Sequence, residues 1–423
     1  MRKMKNSGFE WIGDIPENWR VDSIKRHFHV ISGATPKSEN ADYWDGDIPW
    51  ITPADYKTKD KYVAAGRRNL SQEGYNSCGT TIVPKGSIIF SKRAPVGTVA
   101  IAKNDLCTNQ GCLSCVTKDA SVERFYYYAM SCFTEQFELV STGTTFKEIA
   151  ADVFANFPLP TPSIEKQKMI ADFLDTECDR IDAVIEQTRA SIEEYKKLKQ
   201  AVITQAVTKG IRPNRPMKDS GVEWLKEIPD DWTMERGKGL FHEVDLRSVD
   251  GSEELLTVSQ YTGITPRSQK NVNMFEAETL EGYKICEVGD IAANTMWLWA
   301  GAIGVSNYQG VISPSYNIYR QKGSNYNPSY LDYLLRTVPL VQHYESLSTG
   351  IRASRLRLYP QQFLCIRFPV PSLEEQVEIV CYLREKTSEM DSLISKKQQY
   401  LEEIEAYKKS LIFEYVTGKK EVV

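Results

Sequence analysis

The sequence predicts a mixed α/β (α+β) fold with two globular domains joined by two long helices that form an antiparallel coiled coil. Three observations predict it: paired motifs in the two halves, a heptad pattern at the end of each half, and short apolar runs bounded by glycine and proline between them. Together they indicate an internal repeat whose halves are related by a pseudo-two-fold axis.

The repeat rests on two pairs of motifs. Residues 7–19 (SGFEWIGDIPENW) match residues 220–232 (SGVEWLKEIPDDW), with seven of thirteen positions identical. Residues 159–167 (LPTPSIEKQ) match residues 368–376 (FPVPSLEEQ), and this second match continues without a gap along the following segment. The segments between these motifs diverge, which suggests one scaffold that presents two different recognition surfaces.

The end of each half predicts a helix of some 45 residues, or roughly 65–70 Å at about 1.5 Å per residue. Prolines forbid helix before Ser163, and Ser372 with Glu375 forms a capping-box pattern at the second start. Apolar residues then recur in alternating steps of three and four, as in a coiled coil. The predicted seam and partner-contact residues are Leu174, Ile181, Ile185, Ile192, Tyr195, Leu383, Met390, Ile394, Leu401 and Ile404.

These features predict four segments. They are a first globular domain (1–157), a first long helix (158–210), a second globular domain (211–367) and a second long helix (368–423). The short apolar runs predict strands at 79–83, 87–90, 96–102, 289–293 and 302–305, and helices at 123–140 and 329–346.

Composition narrows the function. The 423 residues carry a net charge of −4, which excludes a uniformly basic coat protein but permits local basic patches. We expect a cytoplasmic protein, because no apolar run approaches the roughly 18 residues of a membrane span and no signal-peptide pattern is present. Nine cysteines in such a chain predict free thiols.

Catalytic motifs are missing from the sequence. There is no phosphate-binding loop, no H-E-x-x-H and no Asn/Asp-Pro-Pro-Tyr/Phe tetrad of an amino-methyltransferase. Cys107, Cys112 and Cys115 have the spacing of an iron–sulfur loop, but a buried strand containing small cysteines explains them better. We therefore predict no catalytic residue and no metal site.

Basic stretches interleaved with aromatic residues indicate DNA binding in both diverged segments. Lysine and arginine can neutralise phosphates or reach guanine, whereas asparagine and glutamine suit adenine. The candidates are Lys57, Lys59, Lys61, Arg67, Arg68, Lys92, Arg93, Asn109, Gln110, Arg267, Lys270, Asn294, Arg352, Arg355 and Arg357.

The paired S-G-x-E-W-x-x-x-I-P-x-x-W and P-x-P-S-[IL]-E-[KE]-Q motifs resemble those of the specificity subunit of type I restriction–modification systems. The resemblance extends over both halves. It implies that each globular domain is a target recognition domain for one half of a split, asymmetric DNA target. The long helices would then act as a ruler and as a docking surface.

The implied partners are double-stranded DNA, two methyltransferase subunits and two motor–nuclease subunits. The resemblance implies that this chain binds no cofactor and that S-adenosylmethionine, ATP and Mg²⁺ belong to the partners, which would methylate adenine at N6 and cleave DNA. Three alternatives stay open: the specificity subunit of a methylation-only system, a coiled-coil tether that reads no DNA, and a nuclease or iron–sulfur enzyme.

Overall fold

A computed structural model of the chain describes residues 2–57, 60–143, 147–269, 279–350 and 356–422. The chain forms two compact units. Unit 1 comprises Met1–Thr188 with Gln399–Val423, and unit 2 comprises Arg189–Gln398. Both units are mixed α/β, which confirms the predicted fold class. The division of the sequence into four segments stays a prediction.

Unit 1 contains twelve strands among its described residues, followed by the first long helix. Its strands are β1 (Met4–Asn6), β2 (Asp14–Pro16), β3 (Arg20–Ser23), β4 (Phe28–Ser32), β5 (Trp44–Ile51), β6 (Tyr62–Val63), β7 (Arg68–Leu70), β8 (Ile88–Ser91), β9 (Val99–Ala102), β10 (Cys107–Thr108), β11 (Cys112–Thr117) and β12 (Pro158–Thr161). Its helices are α1 (Ile24–His27), α2 (Gln72–Asn76), α3 (Glu123–Cys132), α4 (Thr134–Leu139), α5 (Ala151–Ala155) and the start of α6 (Ile164–Lys209).

Unit 2 repeats this order of strands, but its described residues contain no counterpart of α2. Its strands are β13 (Met217–Asp219), β14 (Glu227–Pro229), β15 (Thr233–Arg236), β16 (Phe241–Val244), β17 (Leu256–Ser259), β18 (Gly263–Pro266), β19 (Lys284–Cys286), β20 (Ile291–Ala293), β21 (Ile303–Val305), β22 (Gly310–Ile312), β23 (Asn317–Gln321) and β24 (Arg367–Val370). Its helices are α7 (Gly237–Leu240), α8 (Pro328–Leu335), α9 (Val338–Leu347), α10 (Pro360–Cys365) and the start of α11 (Leu373–Val416).

The central sheets of the two units have the same strand order. Unit 1 has β4-β11-β8-β9-β6, and unit 2 has β16-β23-β20-β21. The four shared strands are antiparallel in both units. The hairpin β1–β2 also corresponds to β13–β14, and the pair β3–β12 corresponds to β15–β24. The diverged segments therefore each contain a sheet with the same four-strand order, although their sequences differ.

The units differ in what is added to this sheet. In unit 1, β5 pairs with β7 and β10 in a separate three-stranded sheet around Trp44 and Trp50. In unit 2, the hairpin β17–β18 and the pair β19–β22 cover the sheet and enclose a small apolar cluster. The structural difference between the units is therefore concentrated in these additions.

The two long helices pair antiparallel inside each unit, as predicted. In unit 1, Lys408 of α11 binds Asp182 of α6 at 2.6 Å. In unit 2, Lys199 of α6 binds Asp391 of α11 at 2.6 Å. Sequence number thus rises along one helix where it falls along the other. All ten predicted seam residues are buried or half-buried, because steps of three and four return each residue to the packed face.

Several predicted details were wrong. The helix predicted at 123–140 breaks at Phe133, and the one predicted at 329–346 breaks at Thr337, because Pro339 fits only the first turn of a new helix. The strand predicted at 79–83 is reduced to a single bridge from Val83 to Leu106. Ser372 does cap α11, with its Oγ 3.3 Å from the Glu375 amide nitrogen.

The capping box itself does not close as predicted, because the Glu375 carboxylate has other partners. Trp232 Nε1 donates to Glu375 Oε2 at 2.9 Å, and Arg215 forms an ion pair with the same carboxylate. The Glu375 side chain, which the motif predicted to cap the helix, instead joins α11 to Arg215 and Trp232 near the start of unit 2.

Candidate nucleic-acid interface

The loops that follow β4, β5 and β10 meet at one end of the unit 1 sheets. The Ala34 amide donates to Thr108 O at 3.0 Å, and the Asn109 amide donates to Ile51 O at 2.9 Å. Thr35 Oγ1 donates to Gln110 Oε1 across the same gap. We call this region, residues 33–36, 52–55, 66–68, 92–95 and 109–111 with Glu148, the unit 1 loop end.

Asn109 and Gln110 lie in the tight turn between β10 and β11. Asn109 Oδ1 accepts a hydrogen bond from the Gly111 amide at 2.9 Å, which holds the turn. Gln110 is exposed at its tip. The turn therefore exposes the Gln110 amide, whereas the Asn109 amide oxygen is used to hold the turn.

Arg67 lies directly before β7 and Arg68 is the first residue of that strand, and both belong to the loop end. Asp55 positions this segment, since its carboxylate accepts from the Thr52 amide at 2.8 Å and from the Arg67 amide at 3.1 Å. The Arg67 side chain stays exposed. The Arg68 guanidinium lies 3.9 Å from the centroid of the Trp44 ring, a cation–π contact that fixes its direction.

Lys92 and Arg93 follow β8 and share one carboxylate. Lys92 Nζ lies 2.9 Å from Glu148 Oε1, and Arg93 Nε lies 2.8 Å from Glu148 Oε2. Hydrogen bonds from Lys92 and then Arg93 lower the pKa of Glu148 below its ordinary value. The Lys92 amide donates to Gly111 O at 3.0 Å, which attaches this turn to the others. Two cations against one anion leave the turn with a positive charge.

Two other candidates of unit 1 lie outside the loop end. Lys61 forms an ion pair with Asp175 of α6, which also accepts from Tyr128 Oη at 2.7 Å. Lys57 is exposed, and its amide donates to Asp60 Oδ2 at 2.9 Å. Lys59 lies outside the described residues.

In unit 2, Asn294 occupies the end of β20, corresponding to Ser91 at the end of β8. It is buried: its Nδ2 donates to Tyr316 Oη at 2.9 Å, and its Oδ1 accepts from the Met296 amide at 3.2 Å. Both ends of its amide are therefore occupied within the chain. In this position Asn294 supports the turn, and a contact with a base does not fit.

Arg267 and Arg357 are the described basic candidates of unit 2. Arg267 opens a short turn after β18, and its amide donates to Leu255 O at 2.8 Å. Arg357 pairs with Thr349 through two backbone hydrogen bonds of 2.9 and 3.0 Å. Lys270, Arg352 and Arg355 lie outside the described residues, so these three stay predictions.

Corresponding positions of the two units carry different charges. Thr142 and Thr349 belong to the repeated Ser-Thr-Gly element, and each forms an antiparallel bridge. The bridge partner is Glu148 in unit 1 and Arg357 in unit 2. The turn after β8 carries Lys92 and Arg93, whereas the turn after β20 carries no charge over residues 295–301. The same end of the same sheet therefore presents two different surfaces.

Two functional positions were missed by sequence reasoning, although the repeated motif contains them. Gln167 Oε1 accepts from the Val122 amide at 3.0 Å at the start of α3. Gln376 Oε1 accepts from the Asn327 amide at 2.7 Å at the start of α8. The last residue of P-x-P-S-[IL]-E-[KE]-Q thus joins each long helix to the first helix that follows the sheet. The signal was the identity of this residue in both motifs.

The cysteines pack as core residues in β11, as the favoured sequence interpretation holds. Cys112 and Cys115 are buried, and burial raises the pKa of the Cys112 thiol to about 12. Among the described residues, no three His, Cys, Asp or Glu side chains cluster as metal ligands would. Within those residues, no helix combines the length and apolar character needed to cross a bilayer.

Comparison with known proteins identifies the first part of the chain. Residues 16–194 match the family model described as the type I restriction modification DNA specificity domain. Two solved structures share the fold. A chain from a type I restriction–modification system, described in terms of complex assembly and conformational transition, aligns with a TM-score of 0.72 and 13% identity over 96% of this chain and 99% of its own. The HsdS subunit of Thermoanaerobacter tengcongensis aligns with a TM-score of 0.53 and 14% identity over 96% and 98%.

Three curated relatives from Methanocaldococcus jannaschii are specificity subunits. The type I restriction enzyme MjaIX specificity subunit is 36% identical over 237 residues, 53% of this chain and 52% of the relative. The putative MjaX subunit is 28% identical over 48% of this chain and 45% of its own length, and the MjaVIII subunit is 23% identical over 96% and 93%. The chain spans about half the length of the first two.

Residues 16–194 thus match a DNA specificity domain, and unit 2 repeats the same four-stranded sheet. By these comparisons the chain is similar to the specificity subunits of type I restriction–modification systems.

Proposed function

We propose that this chain is the non-catalytic subunit that selects the DNA target of a type I restriction–modification complex. Each unit would read one half of a bipartite, asymmetric target. The observation that carries this proposal is the shared sheet whose loop end differs between the units. One scaffold used twice supports two half-sites, and different side chains at the same place support different base sequences.

Charge at the loop ends supports DNA contact. In unit 1, Lys92 and Arg93 exceed the single carboxylate of Glu148, and the exposed Arg67 lies in the same loop end. Such cations neutralise phosphates and position the protein, while Gln110 at the neighbouring tip has the donor and acceptor that adenine needs. Phosphate contacts supply affinity, and the amide supplies selectivity.

The long helices support assembly with partner subunits. On α11, Leu393, Tyr400 and Tyr407 follow each other at intervals of seven and are 42%, 49% and 56% exposed. On α6, the exposed Val184 and Leu198 occupy the equivalent positions of the repeat. Intervals of seven keep residues on one helix face, so each helix has an apolar face besides its seam.

Two matched faces suit two copies of one partner. In this proposal the partners are two methyltransferase subunits, joined by two motor–nuclease subunits for cleavage. S-adenosylmethionine, ATP and Mg²⁺ would be bound by these partners, which would methylate adenine at N6. This chain would contribute the recognition of the target sequence and the binding energy.

The first experiment is methylation-sensitive sequencing of host DNA with and without an intact copy of this chain. We expect a split, asymmetric motif that carries N6-methyladenine and disappears with the chain. Restriction of unmodified phage DNA, measured in the same strains, separates a complete system from a methylation-only one. Unchanged methylation in a host that expresses the chain would favour a tether that reads no DNA.

The second experiment tests the apolar helix faces. Tyr407→Asp should abolish co-purification with the methyltransferase subunits, because a charge would be placed in the buried contact. Glu403→Gln, an exposed neighbour on the same helix, is the matched control and should assemble normally. Normal assembly of the Tyr407→Asp variant would place the docking surface elsewhere.

A further inference from the structure

The turn between β20 and β21 in unit 2 exposes an aromatic surface. Trp297 is 51% exposed, and Met296 beside it is 39% exposed. The Trp299 ring stacks against Trp297 with 5.8 Å between centroids and an interplanar angle of 26°. A single exposed apolar residue is ordinary, but two indoles and a methionine at one tip form a continuous apolar surface.

We propose that Trp297 contacts a base of the DNA target by stacking or by insertion into the base step, and thereby determines part of the half-site read by unit 2. This inference rests on the proposed function, because it assumes that the turn after β20 faces DNA.

The turn is held in place by its own hydrogen bonds. Thr295 Oγ1 donates to Ser315 O at 2.7 Å, and Trp299 Nε1 donates to Met296 O at 3.0 Å. Leu298 is fully buried and anchors the middle of the turn. Gly301, at a φ of +87°, closes it with a backbone bond to Leu298 O at 2.8 Å. The Trp297 indole is therefore presented on a pre-formed support and needs little ordering when it binds.

The position of the turn favours DNA as the occupant. It follows β20 as the turn with Lys92 and Arg93 follows β8, so it lies at the end of the sheet that forms the candidate interface. It is joined to the loop before β23, where Pro314 and Ser315 are exposed. Neither residues 294–301 nor residues 312–317 include an acidic side chain that would repel phosphates. Aromatic stacking suits this uncharged surface because every base has a π-face.

The two units would then bind DNA through different interactions at corresponding turns. Unit 1 would attract phosphates with Lys92 and Arg93, whereas unit 2 would stack an indole on a base. A stacking contact releases no counterions, so it contributes affinity that does not depend on salt. This difference allows a decisive measurement.

The test uses the full chain, co-expressed with the partner subunits of its host, and two fluorescent duplexes. One duplex has the methylated motif found in the wild-type host, and the other has a scrambled motif. Trp297→Ala should weaken binding to the motif duplex roughly ten-fold, while the slope of log Kd against log salt stays unchanged. Trp297→Phe should restore most of the affinity, because it keeps an aromatic face.

Val288→Ala is the matched control, since Val288 is exposed at the opposite end of β20 and should bind like wild type. Wild-type affinity of Trp297→Ala would overturn the inference, as would equal losses in the Ala and Phe variants. Loss of the partner subunits with unchanged DNA affinity would show a protein contact and would also overturn it. If the wild-type complex does not prefer the motif duplex, the proposed function itself fails, independently of the Trp297 variants.

Discussion

The central sheets of unit 1 and unit 2 each contain four antiparallel strands in the same order, but the two units add different elements to this sheet. Unit 1 adds the three-stranded sheet of β5, β7 and β10, and its loop end has cations around Glu148. Unit 2 adds two short strand pairs, and its corresponding turn carries Trp297. The sheet tolerates little change because its strands pair with their neighbours and are largely buried. Exposed turns have no such constraint, so a duplicated domain can acquire a second specificity there.

The contacts that attach each unit to the long helices also combine a feature common to both units with one that differs. Gln167 and Gln376 form equivalent hydrogen bonds in both units. One position earlier, Lys166 is partly exposed and pairs with Glu421, whereas Glu375 is buried against Trp232 and Arg215. Equivalent positions in the repeat therefore differ in stability contribution according to burial, and substitutions can measure that difference.

The largest effect is expected at the coiled-coil seam, where the units should respond equally. Ile185 of unit 1 and Ile394 of unit 2 are 7% and 8% exposed. Replacement of either by Asp buries an unpaired charge and should cost more than about 4 kcal/mol of unfolding free energy. Urea denaturation measures the loss, and hydrogen exchange assigns it to one unit.

The adjacent exposed residues provide controls for this comparison. Val184→Asp and Leu393→Asp should change the stability of the isolated chain by less than about 1 kcal/mol. A seam variant as stable as its control would show that the helix pair does not support that unit.

The second expected effect differs between the units. Glu375→Ala leaves Arg215 without its buried partner and Trp232 Nε1 without an acceptor, so we expect a loss of about 3–5 kcal/mol. Lys166→Ala removes an ion pair in which both side chains are partly exposed, and should cost less than about 1 kcal/mol. Thermal unfolding of both variants checks the ratio, and equal losses would contradict the unequal roles assigned to these positions.

The third effect is expected in both units, with a modest difference in size. Gln167→Leu and Gln376→Leu each leave a backbone amide without its acceptor, at about 1–3 kcal/mol. Replacement of Gln376 should cost more, because its amide donates to Asn325 O at 2.9 Å and to Pro371 O at 3.0 Å, whereas that of Gln167 donates to Pro162 O at 3.1 Å. Hydrogen exchange at the start of α3 and α8 reports each bond separately. Unchanged protection at both sites would refute the joining role of this glutamine.

The smallest effects are expected in DNA binding, with opposite signs. Glu148→Ala releases Lys92 and Arg93, and should raise affinity a few-fold while steepening the salt dependence by about one unit of slope. Arg357→Ala in unit 2 should lower affinity and reduce the slope by about one. Fluorescence anisotropy at several salt concentrations measures both. A shift of affinity in the same direction for both variants would argue against opposite effects of Glu148 and Arg357 on DNA binding.

The sequence predicted the features that depend on regular spacing. Heptads placed Ile185 and Ile394 on a buried helix face, and Ser163 and Ser372 marked the starts of both long helices, because a periodic pattern and a cap are local properties. The paired motifs likewise indicated the duplication. Neither motif showed what its glutamine binds, since the Val122 and Asn327 amides are distant in sequence.

The sequence by itself determined the repeat, the two long helices and the family resemblance. All three depend only on the order and spacing of residues along the chain. Only the tertiary structure decided that the diverged segments have the same sheet topology and that Asn294 is buried. It also decided that Glu375 binds Trp232 and Arg215, and that Glu148 and Arg357 occupy corresponding positions. The reason is physical: burial, ion pairing and strand order depend on neighbours far apart in the chain, and packing selects among partners that local sequence leaves equivalent.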